Sequence, residues 1–329
     1  MSLITGLHHV TVISGNAQAT LDFYVGVLGM RLVKRSVNQD DPGTYHLFFA
    51  DSEGHPGSDL TFFPWPQMPV GQSGFGLTNE VALAVPPGSL DYWADRLAQH
   101  GVQTSGPVTR FGEAVLPFTD LYGLSLALVE TADPRTFTAW ETSPVPEARQ
   151  IRGLHGVRIT ELALGPTVDF LVRGLGFEKT AEEDGWHRFS IAGGGSGRVV
   201  DVRELPNAPR GVWGTGSVHH IAFRVPDDEA ELAARQQVRS TGRGTTEVID
   251  RFWFKSVYFR EPGGALFEIA TDGPGFGIDE ASSTLGEQLI LPPFLESQRA
   301  KIERELPPLV MPQSFTTRPA NPTAGAEHP

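Results

Sequence analysis

The chain repeats itself. "GLHHVTVISGNAQATLDFYVGVLG" at Gly6–Gly29 falls without a gap on "GLHGVRITELALGPTVDFLVRGLG" at Gly153–Gly176. Leu7 matches Leu154, His8 matches His155, Val10 matches Val157, and the pair Asp22-Phe23 matches Asp169-Phe170. Each copy reads as an alternating β-branched strand, then a helix, then a Leu-Gly step whose glycine suits a left-handed helix cap. Short strand-like runs follow in both: "YHLFFAD" and "SDLTFFP", then "WHRFSIAG" and "GRVVDVREL". Such self-similarity constrains the fold more than local propensity does, because every copy must be a unit that stacks on its sisters.

A fainter repeat joins "EVALAVPPGSLDYWADRLAQHGV" to "HHIAFRVPDDEAELAARQQVRSTG", with Val85-Pro86 on Val225-Pro226. Farther along, "TRFG" pairs with "DRFW" and "DLYGLSLALVE" with "EPGGALFEIAT". The chain thus reads as four βαβββ modules, an α+β fold with cupped mixed sheets. At 329 residues it is long enough for two cores. Two domains are expected, modules 1 and 2 in 1–150 and modules 3 and 4 in 151–284, with "ETSPVPEARQ" as linker. Residues 285–329 are expected to give a short amphipathic helix around "FLESQRAKIEREL" and a flexible tail ending "RPANPTAGAEHP".

Two pairs of adjacent histidines open strands: His8-His9 in "GLHHVTVISG" and His219-His220 in "GSVHHIAFRV". Strand neighbours point to opposite faces. The bulky sets His8, Val10, Val12 and His219, Ile221, Phe223 should pack on the helices. The sets with Thr11 and Ala222 should line the cup, which nominates His9 and His220. The same parity puts Glu268 of "PGGALFEIAT" opposite Phe267 and Ile269, in a central strand where a solvated carboxylate is out of place. A buried carboxylate must be neutral, paired or bound to a metal. Two histidines and one carboxylate on one concave face form the triad that holds iron(II) with coordination positions left open. The sister modules provide an internal control: the position matching His9 in module 3 is Gly156, and those matching His220 and Glu268 in module 2 are Glu80 and Ala127. The fold itself therefore does not need the three, and one site per chain is expected.

Composition narrows the chemistry. A net charge of -13 opposes nucleic-acid binding, which needs clustered cations. The absence of cysteine removes disulfides, thiolate metal sites and thiol nucleophiles. No apolar run is long enough to span a membrane and no basic-then-apolar leader opens the chain, so a cytoplasmic location is expected.

The opening "GLHHVTV…LDFYVGVLGMRLVKRSVN…YHLFFAD" and the close "IDRFWFKSVYFREPGGALFEIATD" resemble the vicinal oxygen chelate superfamily of glyoxalases, bleomycin-resistance proteins and extradiol dioxygenases. Within it, the chain is most similar to ring-cleaving dioxygenases that act on hydroquinones, from about Leu3 to Leu309. The resemblance implies two glyoxalase-like domains and iron held by His9, His220 and Glu268. It places Arg251 and Tyr258 beside the metal, and it implies that modules 1 and 4 build the working cup. The implied partners are a small aromatic diol and O2. The ligand set leaves Mn(II) open beside Fe(II), and the sequence leaves a homo-oligomer open beside a monomer. His8, His219 and Thr11 are candidates for groups that orient the ligands, with helix-side packing the competing reading. His46 and His187 read as architecture, and Phe62, Phe63, Trp65, Phe252 and Trp253 as packing more than pocket. Catechol-cleaving relatives take their first histidine from module 3, where this chain has Gly156, and His155 faces the wrong way by parity. The rival readings are a glyoxalase-type isomerase, for which Asp59 is the one fourth-ligand candidate, and a metal-free protein that binds aromatic compounds.

Overall fold

A computed structural model describes residues 3–311, so the "RPANPTAGAEHP" tail lies outside the described residues. Each module runs strand, helix, three strands. Module 1 comprises β1 (Gly6–Ser14), α1 (Ala17–Leu21, continued by a π-helical turn Asp22–Val27), β2 (Arg31–Asn38), β3 (Asp41–Ala50) and β4 (Asp59–Pro64). Module 2 has β5 (Leu77–Val85), α2 (Leu90–Gln99), β6 (Val108–Arg110), β7 (Glu113–Thr119) and β8 (Ser125–Glu130). Module 3 has β9 (Gly153–Glu161), α3 (Leu164–Leu175), β10 (Glu178–Glu183), β11 (Trp186–Ser190) and β12 (Val199–Glu204). Module 4 has β13 (Ser217–Val225), α4 (Asp228–Ser240), β14 (Ile249–Asp250), β15 (Lys255–Arg260) and β16 (Leu266–Thr271). The Leu-Gly step of the third module ends α3 as its sequence requires, with Gly176 at φ 79°.

Two eight-stranded mixed sheets result, ordered β14-β15-β16-β13-β1-β4-β3-β2 and β10-β11-β12-β9-β5-β8-β7-β6. The halves 1–150 and 151–284 therefore do not each close a sheet. Modules 1 and 4 share the first and modules 2 and 3 share the second. The reason lies at one edge. Inside a module the first strand pairs with the last, as β1 does with β4, which leaves its other edge open. An open edge must be covered, and β13 covers β1 antiparallel while β9 covers β5. Sequence similarity shows that a sister must do this, but not which one.

The helix-facing sides of both sheets join one apolar core. Val10, Val12, Ile221, Phe223 and Val225 are fully buried there with Leu21 and Tyr24, as the alternation of β1 and β13 requires. The C-terminal segment adds a short 3-10 stretch (Pro293–Gln298) and α5 (Arg299–Glu305), which bury Leu295, Ile302 and Leu306 in the same core. Before it, the chain crosses the concave side of the first sheet, where Phe276 and Leu285 pack with Phe48 and Trp253. Lys34, fully buried, pins this crossing. Its ammonium donates to Asp279 at 2.7 Å, to Glu280, and to the Phe276 carbonyl. Among the described residues no helix is long and apolar enough to cross a membrane.

Candidate metal centre

Two β-bulges shape the site. Between β1 and β13, Leu7 lies opposite Phe223 and His9 opposite Ala222, which leaves His8 as an extra residue. Two turns of the ladder on, Thr11 lies opposite His220 and Val12 opposite Val218, which leaves His219 extra. A bulge breaks strict alternation and re-aims side chains. Both members of each pair consequently meet: His8 Nδ1 is 2.9 Å from His9 Nδ1, and His219 Nδ1 is 2.8 Å from His220 Nδ1. In place of helix-side packing, the rings of His8 and His219 stand directly behind His9 and His220.

The first pair fixes its own protons. His8 Nε2 is 3.1 Å from the Thr271 carbonyl, an acceptor only, so this nitrogen carries the hydrogen. Burial first, and then the neighbouring His9, pull His8 down to about 3, which keeps it neutral. Its Nδ1 is then a lone pair that accepts from His9 Nδ1–H, which leaves His9 Nε2 as the nitrogen that faces the cup. His219 backs His220 through the same pair of atoms, with its ring stacked on Trp213 at 4.5 Å between centroids.

Glu268 comes from β16, which runs parallel to β13 with Glu268 opposite Ala222. Its carboxylate is fully buried, and Oε1 accepts from the Ser256 hydroxyl at 2.5 Å. Oε2 lies 2.9 Å from His220 Nε2 and 3.4 Å from His9 Nε2, yet it has no hydrogen-bond partner. The two Nε2 atoms are themselves 3.2 Å apart. Burial raises Glu268, and only positive charge at the facing His9 and His220 edges offsets it; with that charge present the carboxylate is held well below its usual range. An orphaned anionic oxygen facing two imidazole nitrogens is a donor set that fits a divalent cation. Among the described residues this is the one group of three or more His, Asp or Glu side chains whose ligand atoms lie within 4.8 Å of one another.

The triad opens into a narrow cavity, about 390 Å³ of empty space with its mouth included, walled by Phe48, Phe63, Trp253 and Phe254 and by polar His46, Arg251 and Tyr258. A model of the "Glyoxalase/Bleomycin resistance protein/Dioxygenase superfamily" matches residues 6–128 and 163–269. The chain belongs to this superfamily. It is 42% identical over 303 residues to the Bacillus subtilis protein named "Putative ring-cleaving dioxygenase MhqO", covering 92% of this chain and 96% of that one. It is 34% identical to the "Chlorohydroquinone/hydroquinone 1,2-dioxygenase" of Sphingobium indicum, covering 92% of this chain and 96% of that protein. A crystal structure titled as a putative dioxygenase from Bacillus subtilis superimposes with a TM-score of 0.89 at 41% identity, over 95% of this chain and 99% of the other. Glyoxalase I of Zea mays shares the fold, at a TM-score of 0.61 and 15% identity, over 81% of this chain and 92% of the other.

The remaining side chains are set by strand register. Tyr258 lies opposite Glu268 on β15, with its ring 5.6 Å from that of His220. Burial and the neighbouring Glu268 charge push its phenol above the ordinary value, so it stays protonated as a donor. Arg251 lies with its guanidinium 5.4 Å from the Tyr258 ring centre and is gripped by the Asp40 carboxylate at 2.8 Å. Burial opposes its charge, but Tyr258 and Asp40 prevail and raise it. Thr11 bonds Thr61 at 2.7 Å, and Thr61 bonds His46 Nε2 at 2.9 Å, so the Thr11 hydroxyl is engaged with the cavity wall.

Sequence reading missed His46, Asn38, Gln39 and Asp40, all of which line the cavity. The sequence sets His46 beside His187 as shared architecture of modules 1 and 3. Register instead aligns Phe48, opposite Thr61, with Arg188, opposite Asp201, so His46 falls in line with Trp186. A slip of one residue exchanges the faces of a strand, and it turned a cavity histidine into apparent scaffold. Phe63 and Trp253 also line the cavity, whereas Phe62 turns to the helix side and packs on Tyr24. The bulge at the equivalent of His8 likewise brings His155 into the second cup, against its parity. Asp59 begins β4 opposite His9 but stands outside the triad.

Proposed function

We propose that this protein is a ring-cleaving dioxygenase that acts on hydroquinone-like aromatic diols with O2, using Fe(II) held by His9, His220 and Glu268. The observation that carries this reading is the convergence of two imidazole nitrogens on a buried carboxylate oxygen that has no other partner. Names given to relatives covering over nine-tenths of the chain support it. When bound, Fe(II) would supply Lewis acidity toward a phenolic oxygen and a path for electrons from the ring to O2.

The protein's own groups supply the rest. His8 fixes the His9 tautomer, and His219 backs His220. The aromatic walls exclude water and hold a flat ring. Tyr258, kept protonated, can donate to a phenolate oxygen, and Arg251 offers a permanent charge to anionic oxygen. Three protein ligands, with no fourth from β4, favour this reading over a glyoxalase-type isomerase.

The test is oxygen uptake by metal-loaded protein with hydroquinone, with catechol, and with the methylglyoxal–glutathione adduct. Uptake stoichiometric with hydroquinone loss is the expected result. Turnover of the adduct without oxygen consumption would favour the isomerase. No turnover, with aromatic binding retained after His9→Ala, would favour a simple binding protein.

A further inference from the structure

A second cleft lies on the seam between the two sheets and shares no lining residue with the metal cavity. Its empty space, open mouth included, is about 1310 Å³, and four arginines line it: Arg135, Arg152, Arg198 and Arg224. They come from four separate segments, brought together by a near-symmetric crossing of backbone. Leu7 N–H donates to the Gly197 carbonyl at 2.8 Å, and Leu154 N–H donates to the Gly57 carbonyl at 2.9 Å.

The charges in the cleft are not balanced. The chain has 39 acidic and 26 basic side chains, so an arginine without an acid is the exception to explain. Arg224 pairs with Asp272 at 2.7 Å. Among the described residues, Arg135, Arg152 and Arg198 form no ion pair. Arg135 donates to the Leu154 carbonyl at 3.0 Å and marginally to the Ser196 hydroxyl. Arg152 donates to the Glu147 carbonyl at 3.0 Å and lies over the Phe137 ring. Arg198 donates to the carbonyls of Ala192 and Gly194 at 3.3 Å. A guanidinium has five N–H donors, so most of this capacity is unspent. Two acids act on Arg135 without pairing with it: Asp51, whose carboxylate bonds His55 at 2.6 Å, and the cleft-lining Asp133, engaged by the Ser196 N–H at 2.6 Å.

The loop "AGGGSG" keeps the cleft open. Gly195 and Gly197 adopt φ of 90° and 82°, where side chains are strained. A Cβ on Gly197 would stand 2.9 Å from the Arg135 guanidinium, and one on Gly195 would stand 2.8 Å from the Asp133 carboxylate. A side chain at 197 would press on the Arg135 guanidinium.

We propose that this cleft is a binding site for a small multivalent oxyanion, phosphate or carboxylate, held by Arg135, Arg152 and Arg198. Planar guanidinium forks match both oxyanions in bidentate geometry. The proposal does not depend on the ring-cleavage reading.

The full-length protein would be titrated with pyrophosphate, inorganic phosphate and adipate in separate arms. Ionic strength is held constant with chloride, and both heat of binding and thermal midpoint are followed. Saturable binding in any arm, with a midpoint rise on the order of 3 °C near tenfold saturation, is expected. The responding arm identifies a phosphate or a carboxylate ligand. Arg198→Ala, at an exposed position, and Arg152→Gln should each weaken binding about tenfold while oxygen uptake is unchanged. A response no larger than that to chloride, or wild-type affinity in both variants, would overturn the proposal.

Discussion

The two sheets are built from the same module, yet their concave sides solve one electrostatic problem in opposite ways. In the second cup, Gly156, Glu80 and Ala127 replace the triad, and the strands beside them supply counter-charges. Glu80 accepts from Arg110 at 2.6 Å, Asp201 from Arg188 at 2.8 Å, and Glu113 from Arg188 at 2.5 Å with His155 at 3.3 Å. Burial works against the Glu113 charge, but His155 and Arg188 outweigh it and draw it down to about 2. Each of these carboxylates is answered from within the protein. In the first cup, Glu268 Oε2 is answered by no hydrogen-bond donor. A polar cup neutralised by its own arginines has no use for a cation. One left with an orphan oxygen calls for one.

Four substitutions break or sharpen this contrast. The largest effect is expected from Glu268→Gln, which removes the one anionic member of the proposed ligand set. Metal content and ring cleavage should both fall to background while the circular-dichroism spectrum is kept. Next is Arg188→Met, which strips the second cup of the cation shared by Asp201 and Glu113. Urea unfolding should show a loss of about 3 kcal/mol with metal affinity untouched, and a neutral result would mean that the network stabilises nothing. His8→Ala acts behind a ligand and not on the metal, so affinity should drop about 10–100-fold, measured by competition with a chelator. Ser256→Ala, which removes one hydrogen bond to Glu268 Oε1, should cost the least, about tenfold in the same assay.

A pH experiment extends the contrast to the seams between modules. Glu161, fully buried at the end of β9, has no hydrogen-bond partner on either oxygen, whereas Ser14 holds the matching place in module 1. Burial, and then the charge of Glu261, raise Glu161 to about 9. The folded state then keeps a proton that the unfolded chain releases near its ordinary value. Stability attributable to this group is present at low pH and is lost as pH rises through the window up to about 9. Glu161→Gln should flatten that decline in thermal midpoint; an unchanged slope would show that Glu161 is ionised in the fold.

Much of this was legible in the residues. The four modules followed from the repeat, and the triad followed from alternation, because His9, His220 and Glu268 sit on ordinary strand positions facing small neighbours. What escaped was whatever broke the period. The bulges at His8 and His219 are single inserted residues in a ladder, visible only once the partner strand is known. His46 was lost to a one-residue slip in the later strands of modules 1 and 3, where the gapless match of their openings no longer holds. The pairing of module 1 with module 4 was out of reach of periodicity, since all four first strands carry the same open edge, and it came only from the resemblance. Asp40 and Arg251, far apart in sequence, meet only because that pairing brings β14 and the β2–β3 turn to one mouth.

One cation site per chain is predicted, in the first cup and not the second. Anaerobic titration of metal-free protein with Fe(II), read by bound metal and by the electron paramagnetic resonance of the nitric oxide adduct, tests it directly. One iron per chain, abolished by Glu268→Gln and retained in Arg188→Met, is the predicted result. No tight binding, or a site that survives loss of Glu268, would contradict it.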